Sequence, residues 1–176
     1  IVSAASGDVN QVGAELDIAR KLTDKPIGVN VMLRGENIEA LAKLIAEKKP
    51  AVVTTGAGNP ERYMDMWKAA GIKVIPVAAS ASFAKIFERA GADAVVAEGC
   101  ESGGHVGELT TMALVPQVCD AVSIPVIAAG GIADGRQVLA AFALGASGVQ
   151  VGTCLLASKE CPIHENYKEA VLKAKD

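Results

Sequence analysis

The chain has 176 residues, of which 51% are hydrophobic, and its 17 basic and 20 acidic side chains leave a net charge of −3 at pH 7. This length suits one domain with a sizeable core, and we expect that domain to cover residues 1–176. The charges are spread without blocks, so nucleic acid is not expected as the main partner, whereas small molecules and proteins stay open.

Short apolar runs rich in valine and isoleucine predict strands; they lie near residues 27, 52, 74, 94, 126 and 148. The segments between them are amphipathic or rich in alanine, which predicts helices. Ile1-Val2 resembles the tail of an earlier strand. The uncharged stretch 138–158 divides into a helix and a strand and contains several glycines, so it does not predict a membrane span. The start of the chain lacks the pattern of a signal peptide.

Turn residues mark the helix ends. Gly71, Gly91 and Gly145 stand where a left-handed residue ends a helix before the next strand. Asn59-Pro60 predicts the start of one helix, and Asp134 is expected to cap another. These boundaries make the alternation of strands and helices regular.

Uninterrupted alternation predicts an α/β fold with a parallel sheet. A doubly wound sheet is the competitor, but its dinucleotide fingerprint is incomplete at Gly56-Ala-Gly58-Asn-Pro-Glu61. The even spacing favours a TIM-like (β/α)8 barrel. Because such barrels need about 200 residues or more, we expect one that lacks its first strand unit and a C-terminal extension.

The active site of such a barrel lies at the carboxyl ends of its strands. Gly130-Gly131 and Gly152-Thr153 follow two consecutive predicted strands, and their backbone N–H groups are expected to converge on a phosphate group, helped by the helix that opens at Asp134. The alternative is that these glycines only permit tight turns. Asn30 suits the edge of a heterocycle and Glu98 suits sugar-like hydroxyls, although either side chain alone is explained equally well by a turn or an ion pair.

His105 stands in the longest loop of the chain, between a strand predicted over Ala92–Ala97 and a helix predicted over Thr110–Val122. Glycines flank it, and histidine exchanges protons near neutral pH, so we favour a catalytic role over a structural one. Cys100 is a weaker candidate for a thiolate role. His164 lies in a polar stretch expected at the surface.

The four cysteines, Cys100, Cys119, Cys154 and Cys161, show no CxxC spacing, which favours free thiols in a cytoplasmic protein. No cluster with metal-ligand spacing occurs, so no metal site is expected.

Six segments taken together resemble the nitronate monooxygenase family: Gly28–Leu33, Thr54–Pro60, Ala97–Gly107, Ile127–Gly135, Gln150–Thr153 and His164–Lys168. Within that family they are most similar to the FMN-dependent enoyl-acyl carrier protein reductases of type II. The resemblance implies a flavin-binding TIM-like barrel, NADH or NADPH as hydride donor, and an acyl carrier protein-bound enoyl thioester as substrate in fatty-acid synthesis.

The resemblance also implies roles for individual residues. Gly130, Gly131, Gln150, Val151, Gly152 and Thr153 would hold the FMN phosphate. Asn30, Glu98 and Gly103 would contact the flavin or its ribityl chain, and His105 would be the catalytic residue beside the flavin ring.

Two other functions stay open. In a nitronate monooxygenase, His105 would act as the base toward the nitroalkane; Glu98, where many monooxygenases have Gln, favours the reductase. Cys154 departs from the arginine usual in relatives. The second alternative is a flavin-free barrel that binds a sugar phosphate. A homodimer formed through an open sheet edge is a further hypothesis.

Overall fold

The computed structural model describes residues 1–175. Strands and helices alternate along them, and a helix follows every strand. The strands are β1 (Val2–Ser3), β2 (Gly28–Met32), β3 (Val52–Gly56), β4 (Lys73–Ala78), β5 (Val95–Glu98), β6 (Val126–Ala129) and β7 (Gly148–Gln150). The helices are α1 (Val9–Leu22), α2 (Ile38–Lys48), α3 (Glu61–Ala69), α4 (Ala81–Arg89), α5 (Thr111–Ala121), α6 (Gly135–Ala143), α7 (Thr153–Leu156) and α8 (Glu165–Lys173).

All seven strands form one parallel sheet in which the spatial order equals the chain order, β1 to β7. The sheet curls as part of a TIM-like barrel, which confirms the predicted fold. Among residues 1–175, β1 and β7 each have a single neighbour, so the sheet has two open edges. Unpaired backbone groups at such edges are what the predicted homodimer would require.

Predicted and observed boundaries differ by a few residues. The strand expected from Ala92 begins at Val95, because Ala92 N–H bonds to Phe87 O at 3.0 Å and still belongs to the turn that ends α4. The N-cap of α3 is Pro60, and not Asn59 as predicted; Asn59 lies one residue earlier, and its Oδ1 accepts the Glu61 N–H at 3.0 Å.

The three glycines expected at helix ends all have positive φ: +79° at Gly71, +96° at Gly91 and +97° at Gly145. In this left-handed region glycine avoids the steric cost of a Cβ. The turns from α3, α4 and α6 into the following strands are therefore determined locally by the sequence.

The main core lies between the outer face of the sheet and the helices. Trp67, Leu41 and Leu114 are among its large, fully buried side chains and pack against valines of the strands such as Val53 and Val95. Trp67 Nε1 donates to Ala42 O at 3.1 Å, so this buried polar group has a partner. Burial of this face is the main stabilising contribution.

The inner face of the sheet carries a second set of aliphatic side chains, among them Val52, Ile75, Val96 and Ile127, around a cavity of about 290 Å³. The uncharged stretch 138–158 forms the expected helix and strand, which are the end of α6 and β7, and also the short helix α7, which was not expected. Among residues 1–175 no helix combines the length and the apolar character needed to cross a bilayer.

Candidate active site at the carboxyl ends of the strands

The carboxyl ends of the strands open into a cavity of about 770 Å³. All nine residues predicted to hold a cofactor line it: Asn30, Glu98, Gly103, Gly130, Gly131, Gln150, Val151, Gly152 and Thr153. The cavity is also lined by Thr54, Glu101, Ser102, Cys154 and apolar side chains of α8. Residues from distant parts of the chain thus meet at one place.

The register of the sheet explains this convergence. Glu98 is the Cα partner of Ala129, which in turn is the partner of Gln150, so three neighbouring strands end at the same level. Asn30 and Thr54 are partners in the same way on β2 and β3. Because alternate residues of a strand face opposite sides, each of these partners faces the inside of the barrel.

Backbone N–H groups at the ends of β6 and β7 are available to a ligand. Within residues 1–175, the N–H groups of Gly130, Gly131, Gly152 and Thr153 have no acceptor in the chain. Such N–H groups bind anions when they converge, as in known phosphate sites. The predicted phosphate site therefore has free donors.

The glycines of the site are explained in two different ways. Gly130 has φ +114°, and a Cβ there would lie 2.4 Å from Thr111 Oγ1, so the chain itself requires glycine. A Cβ at Gly103 or Gly152 would meet nothing within 4 Å. Packing of the chain therefore leaves the absence of a side chain at these two positions unexplained, whereas close approach of a ligand would explain it.

The start of α6 carries a side-chain cap. The Asp134 carboxylate accepts from the N–H groups of Arg136 and Gln137, and the Gln137 side chain accepts from the N–H of Ala133 and of Asp134. The predicted cap is confirmed. The N–H groups of Arg136 and Gln137 are thereby satisfied, whereas within residues 1–175 the N–H of Gly135, the first residue of α6, has no acceptor.

Glu98 is half-buried at the end of β5. Burial raises the pKa of its carboxyl above the ordinary value, and a hydrogen bond from Ser102 offsets only part of this effect. A carboxyl that keeps its proton to higher pH can donate a hydrogen bond as well as accept one. Ligand hydroxyl groups can use both.

The loop that contains His105 is anchored at both ends. Cys100 N–H bonds to Leu109 O at 2.8 Å, and the Glu101 carboxylate accepts the N–H and the hydroxyl of Thr111, both at 2.8 Å. Between these anchors His105 is exposed and does not line the cavity. The structure thus places His105 in the loop at the rim, apart from the nine residues that the cavity brings together.

Two residues of the site escaped the sequence analysis. Glu101 lines the cavity, and the hydrogen bonds that it accepts lower its pKa although burial acts in the opposite direction. Thr111 is 9% exposed, and its hydroxyl also lies 3.1 Å from Gly130 O. Glu101 lies inside a motif already recognised, but nothing local connects Thr111 with Gly130.

The remaining expectations are reported briefly. His164 is exposed and caps α8, its Nδ1 accepting the N–H of Asn166 at 3.1 Å. All four cysteines are free thiols. Within residues 1–175, no group of three or more His, Cys, Asp or Glu side chains is arranged to hold a metal ion.

Comparison with known proteins extends this description. FabK from Thermotoga maritima has a structure that matches with a TM-score of 0.94 and 54% sequence identity over 96% of this chain and 54% of that chain. A (3aS,4S,5R,7aS)-5-hydroxy-7a-methyl-1-oxo-octahydro-1H-indene-4-carboxyl-CoA dehydrogenase of Rhodococcus jostii (strain RHA1) is 37% identical over 98% of this chain and 49% of the relative.

A probable nitronate monooxygenase of Staphylococcus aureus (strain Newman) is 34% identical over 99% of this chain and 62% of the relative. The chain thus spans between about half and three fifths of the relatives it matches. The sequence model of the nitronate monooxygenase family matches residues 1–176. The resemblance seen in the motifs is confirmed, and the chain belongs to the nitronate monooxygenase family.

Proposed function

We propose that this chain is the barrel of an FMN-dependent oxidoreductase that reduces enoyl thioesters carried by acyl carrier protein, with NADH or NADPH as hydride donor. One observation carries the proposal. Nine residues expected to contact FMN line a single cavity, and four N–H groups among them have no acceptor within residues 1–175. We also propose that residues 1–176 form a single domain.

The cavity fits FMN in size and chemistry. Its volume of about 770 Å³ lies within the range that encloses cofactor-sized ligands. Gly130, Gly131, Gly152 and Thr153 offer N–H groups to a phosphate, whereas Asn30 and Glu98 offer hydrogen bonds to the heterocycle and the ribityl hydroxyls. When bound, FMN supplies the ability to accept and pass on a hydride.

The protein's own residues would bind and orient FMN and would supply a proton to the substrate. Glu98, at the end of β5, would hydrogen-bond the ribityl chain, and Gln150, at the end of β7, would help to hold the phosphate. His105, in the loop at the rim, would close over the ring face and either protonate the substrate or hold its thioester carbonyl. The apolar side chains of Val171 and Leu172 on α8 limit water on one side of the cavity.

Enoyl reduction is favoured over nitronate oxidation by the 54% identity with FabK from Thermotoga maritima. Glu98 and the segment Thr54–Pro60 favour the same branch. Nitronate oxidation is the second candidate because relatives at 34% identity are described as probable nitronate monooxygenases. In that reaction, His105 would take the proton from the nitroalkane.

The two reactions are separated by anaerobic flavin kinetics. With FMN bound, we expect NADH or NADPH to bleach the visible flavin band and an enoyl thioester to restore it. Bleaching by a nitronate alone, with no response to NADH or NADPH, would instead identify nitronate oxidation. A protein that stays colourless after addition of FMN would overturn both and favour the flavin-free, sugar-phosphate-binding barrel.

The role of His105 is tested by His105→Ala, with His164→Ala as the matched control on the exposed cap of α8. We expect His105→Ala to keep the flavin colour and to lose turnover by about 100-fold or more. The control should keep both. Unchanged turnover in His105→Ala would remove this residue from the mechanism.

A further inference from the structure

A hydrogen bond inside the barrel joins two polar side chains of neighbouring strands. Thr54 Oγ1 lies 2.9 Å from Asn30 Oδ1, and the two residues are Cα partners on β3 and β2. Thr54 is 6% exposed and lines the cavity together with Asn30. The bond therefore lies at the floor of the candidate site.

The surroundings of Thr54 leave its hydroxyl few choices. Val52 on the same strand and Ile75 on neighbouring β4 are aliphatic, as are Val96 and Ile127, which line the inner cavity together with Thr54. Within residues 1–175, Asn30 Oδ1 is the acceptor found for this hydroxyl. A buried hydroxyl without an acceptor is unfavourable, so the Thr54 proton belongs on Asn30.

This contact decides which way the Asn30 amide faces. An amide nitrogen has no lone pair to accept the Thr54 proton, so the carbonyl oxygen must face Thr54. The NH₂ group then faces away from Thr54. Asn30 consequently offers N–H donors, and not an acceptor, to a ligand in the cavity.

We propose that Thr54 is a positioning residue that orients the Asn30 amide so that it donates hydrogen bonds to acceptor atoms on the edge of the bound heterocycle. The inference deepens the proposed function and rests on it, since the heterocycle is that of FMN. A flavin has acceptor nitrogen and carbonyl groups along one edge, which matches two donors. Without the Thr54 hydroxyl, the amide would be free to present either end.

The test is a double-mutant cycle on FMN affinity, measured by quenching of flavin fluorescence in the purified protein. Thr54→Val replaces the hydroxyl with a methyl group of similar volume among aliphatic neighbours. Thr54→Ser is the matched control that keeps the hydroxyl. Asn30→Ala and the pair Asn30→Ala with Thr54→Val complete the cycle.

We expect Thr54→Val to weaken FMN binding by about five- to tenfold, and Thr54→Ser to stay within about twofold of the wild type. In the Asn30→Ala background, Thr54→Val should cause no further loss, because its effect acts through Asn30. Thermal melting of the wild type and the four variants without FMN should show that each is folded.

Three results would overturn the inference. The first is wild-type FMN affinity in Thr54→Val, the second is a loss in Thr54→Ser as large as that in Thr54→Val, and the third is an equally large loss from Thr54→Val when Asn30 is replaced by Ala. Failure of the wild type itself to bind FMN is a different result, since it would overturn the proposed function. The two failures are therefore distinguishable in one set of titrations.

Discussion

The two ends of β5 carry carboxylates in opposite situations. Asp93, just before the strand, accepts hydrogen bonds from Lys68 Nζ at 2.7 Å, Lys73 Nζ at 2.9 Å and the Val74 N–H at 2.9 Å. Burial acts to raise its pKa, but these partners outweigh it and the pKa is lowered. Glu98, at the other end, has no ion-pair partner among residues 1–175, and burial raises its pKa.

This difference shows how the barrel divides its tasks. At the amino end of the strand, polar groups satisfy one another and join β5 to α3 and β4. At the carboxyl end, a carboxyl and several backbone N–H groups keep hydrogen-bonding capacity that the chain does not use. A perturbed carboxyl in a cavity is typical of a functional site, whereas a well-paired one is typical of structural support.

The largest effect is expected for a substitution at Gly130, because this residue serves both the packing of the chain and the candidate site. Gly130→Ala forces a side chain into φ +114° and against Thr111 Oγ1. We expect it to lower the free energy of unfolding by about 3 kcal/mol and to abolish FMN binding. Urea unfolding and FMN titration measure the two effects.

Gly103→Ala is the control for that substitution, because a Cβ at Gly103 meets nothing within 4 Å. It should leave urea unfolding unchanged and weaken only FMN binding. Equal destabilisation by Gly130→Ala and Gly103→Ala would show that packing requires glycine at both positions.

Asp93→Asn tests the structural role of the carboxylate at the amino end of β5. It removes the charge that two lysines share and should lower the free energy of unfolding by about 2 kcal/mol at neutral pH. Since the folded-state pKa of Asp93 lies below its ordinary value of 3.8, its contribution is present above that value and is lost as the pH falls through the folded-state pKa.

Urea unfolding of wild type and Asp93→Asn at neutral and strongly acidic pH measures this difference. The two curves should converge in acid. FMN affinity should not change at neutral pH, and a loss of affinity without a loss of stability would contradict a purely structural role for Asp93.

Glu98→Gln is expected to have the smallest effect on stability, and it should raise stability where the substitutions at Gly130 and Asp93 lower it. Because the folded-state pKa of Glu98 lies above the ordinary value of 4.5, its ionisation costs stability: the protein is favoured below that value and loses stability as the pH rises through the folded-state pKa. Glutamine removes this cost. The variant without FMN should therefore melt at a higher temperature than the wild type at neutral pH.

The difference in melting temperature between Glu98→Gln and wild type should shrink in acid, which a pH series of melting curves will measure. The FMN affinity of Glu98→Gln should be lower than that of the wild type. A melting temperature below that of the wild type at neutral pH would show that the Glu98 carboxylate stabilises the chain, as Asp93 is expected to do.

Much of the site was predictable because its parts are local. Gly130-Gly131 and Gly152-Thr153 follow recognisable strands, and parallel strands bring their carboxyl ends to one side. The cap at Asp134 was also predictable, whereas the reciprocal hydrogen bonds from the N–H groups of Ala133 and Asp134 to the Gln137 side chain were not predicted. The rim position of His105 depends on anchors at Cys100 and Thr111 that no spacing indicates.

By itself, the sequence determined the alternation of strands and helices, the glycine turns and the family. These features depend on periodicity and on backbone conformations that single residues favour. Only the tertiary structure decided that Thr54 bonds to Asn30, that Thr111 packs on Gly130, and that two lysines reach Asp93. Such contacts join residues that are about 20 or more positions apart in the sequence. They depend on sheet register and close packing, which no local sequence pattern records.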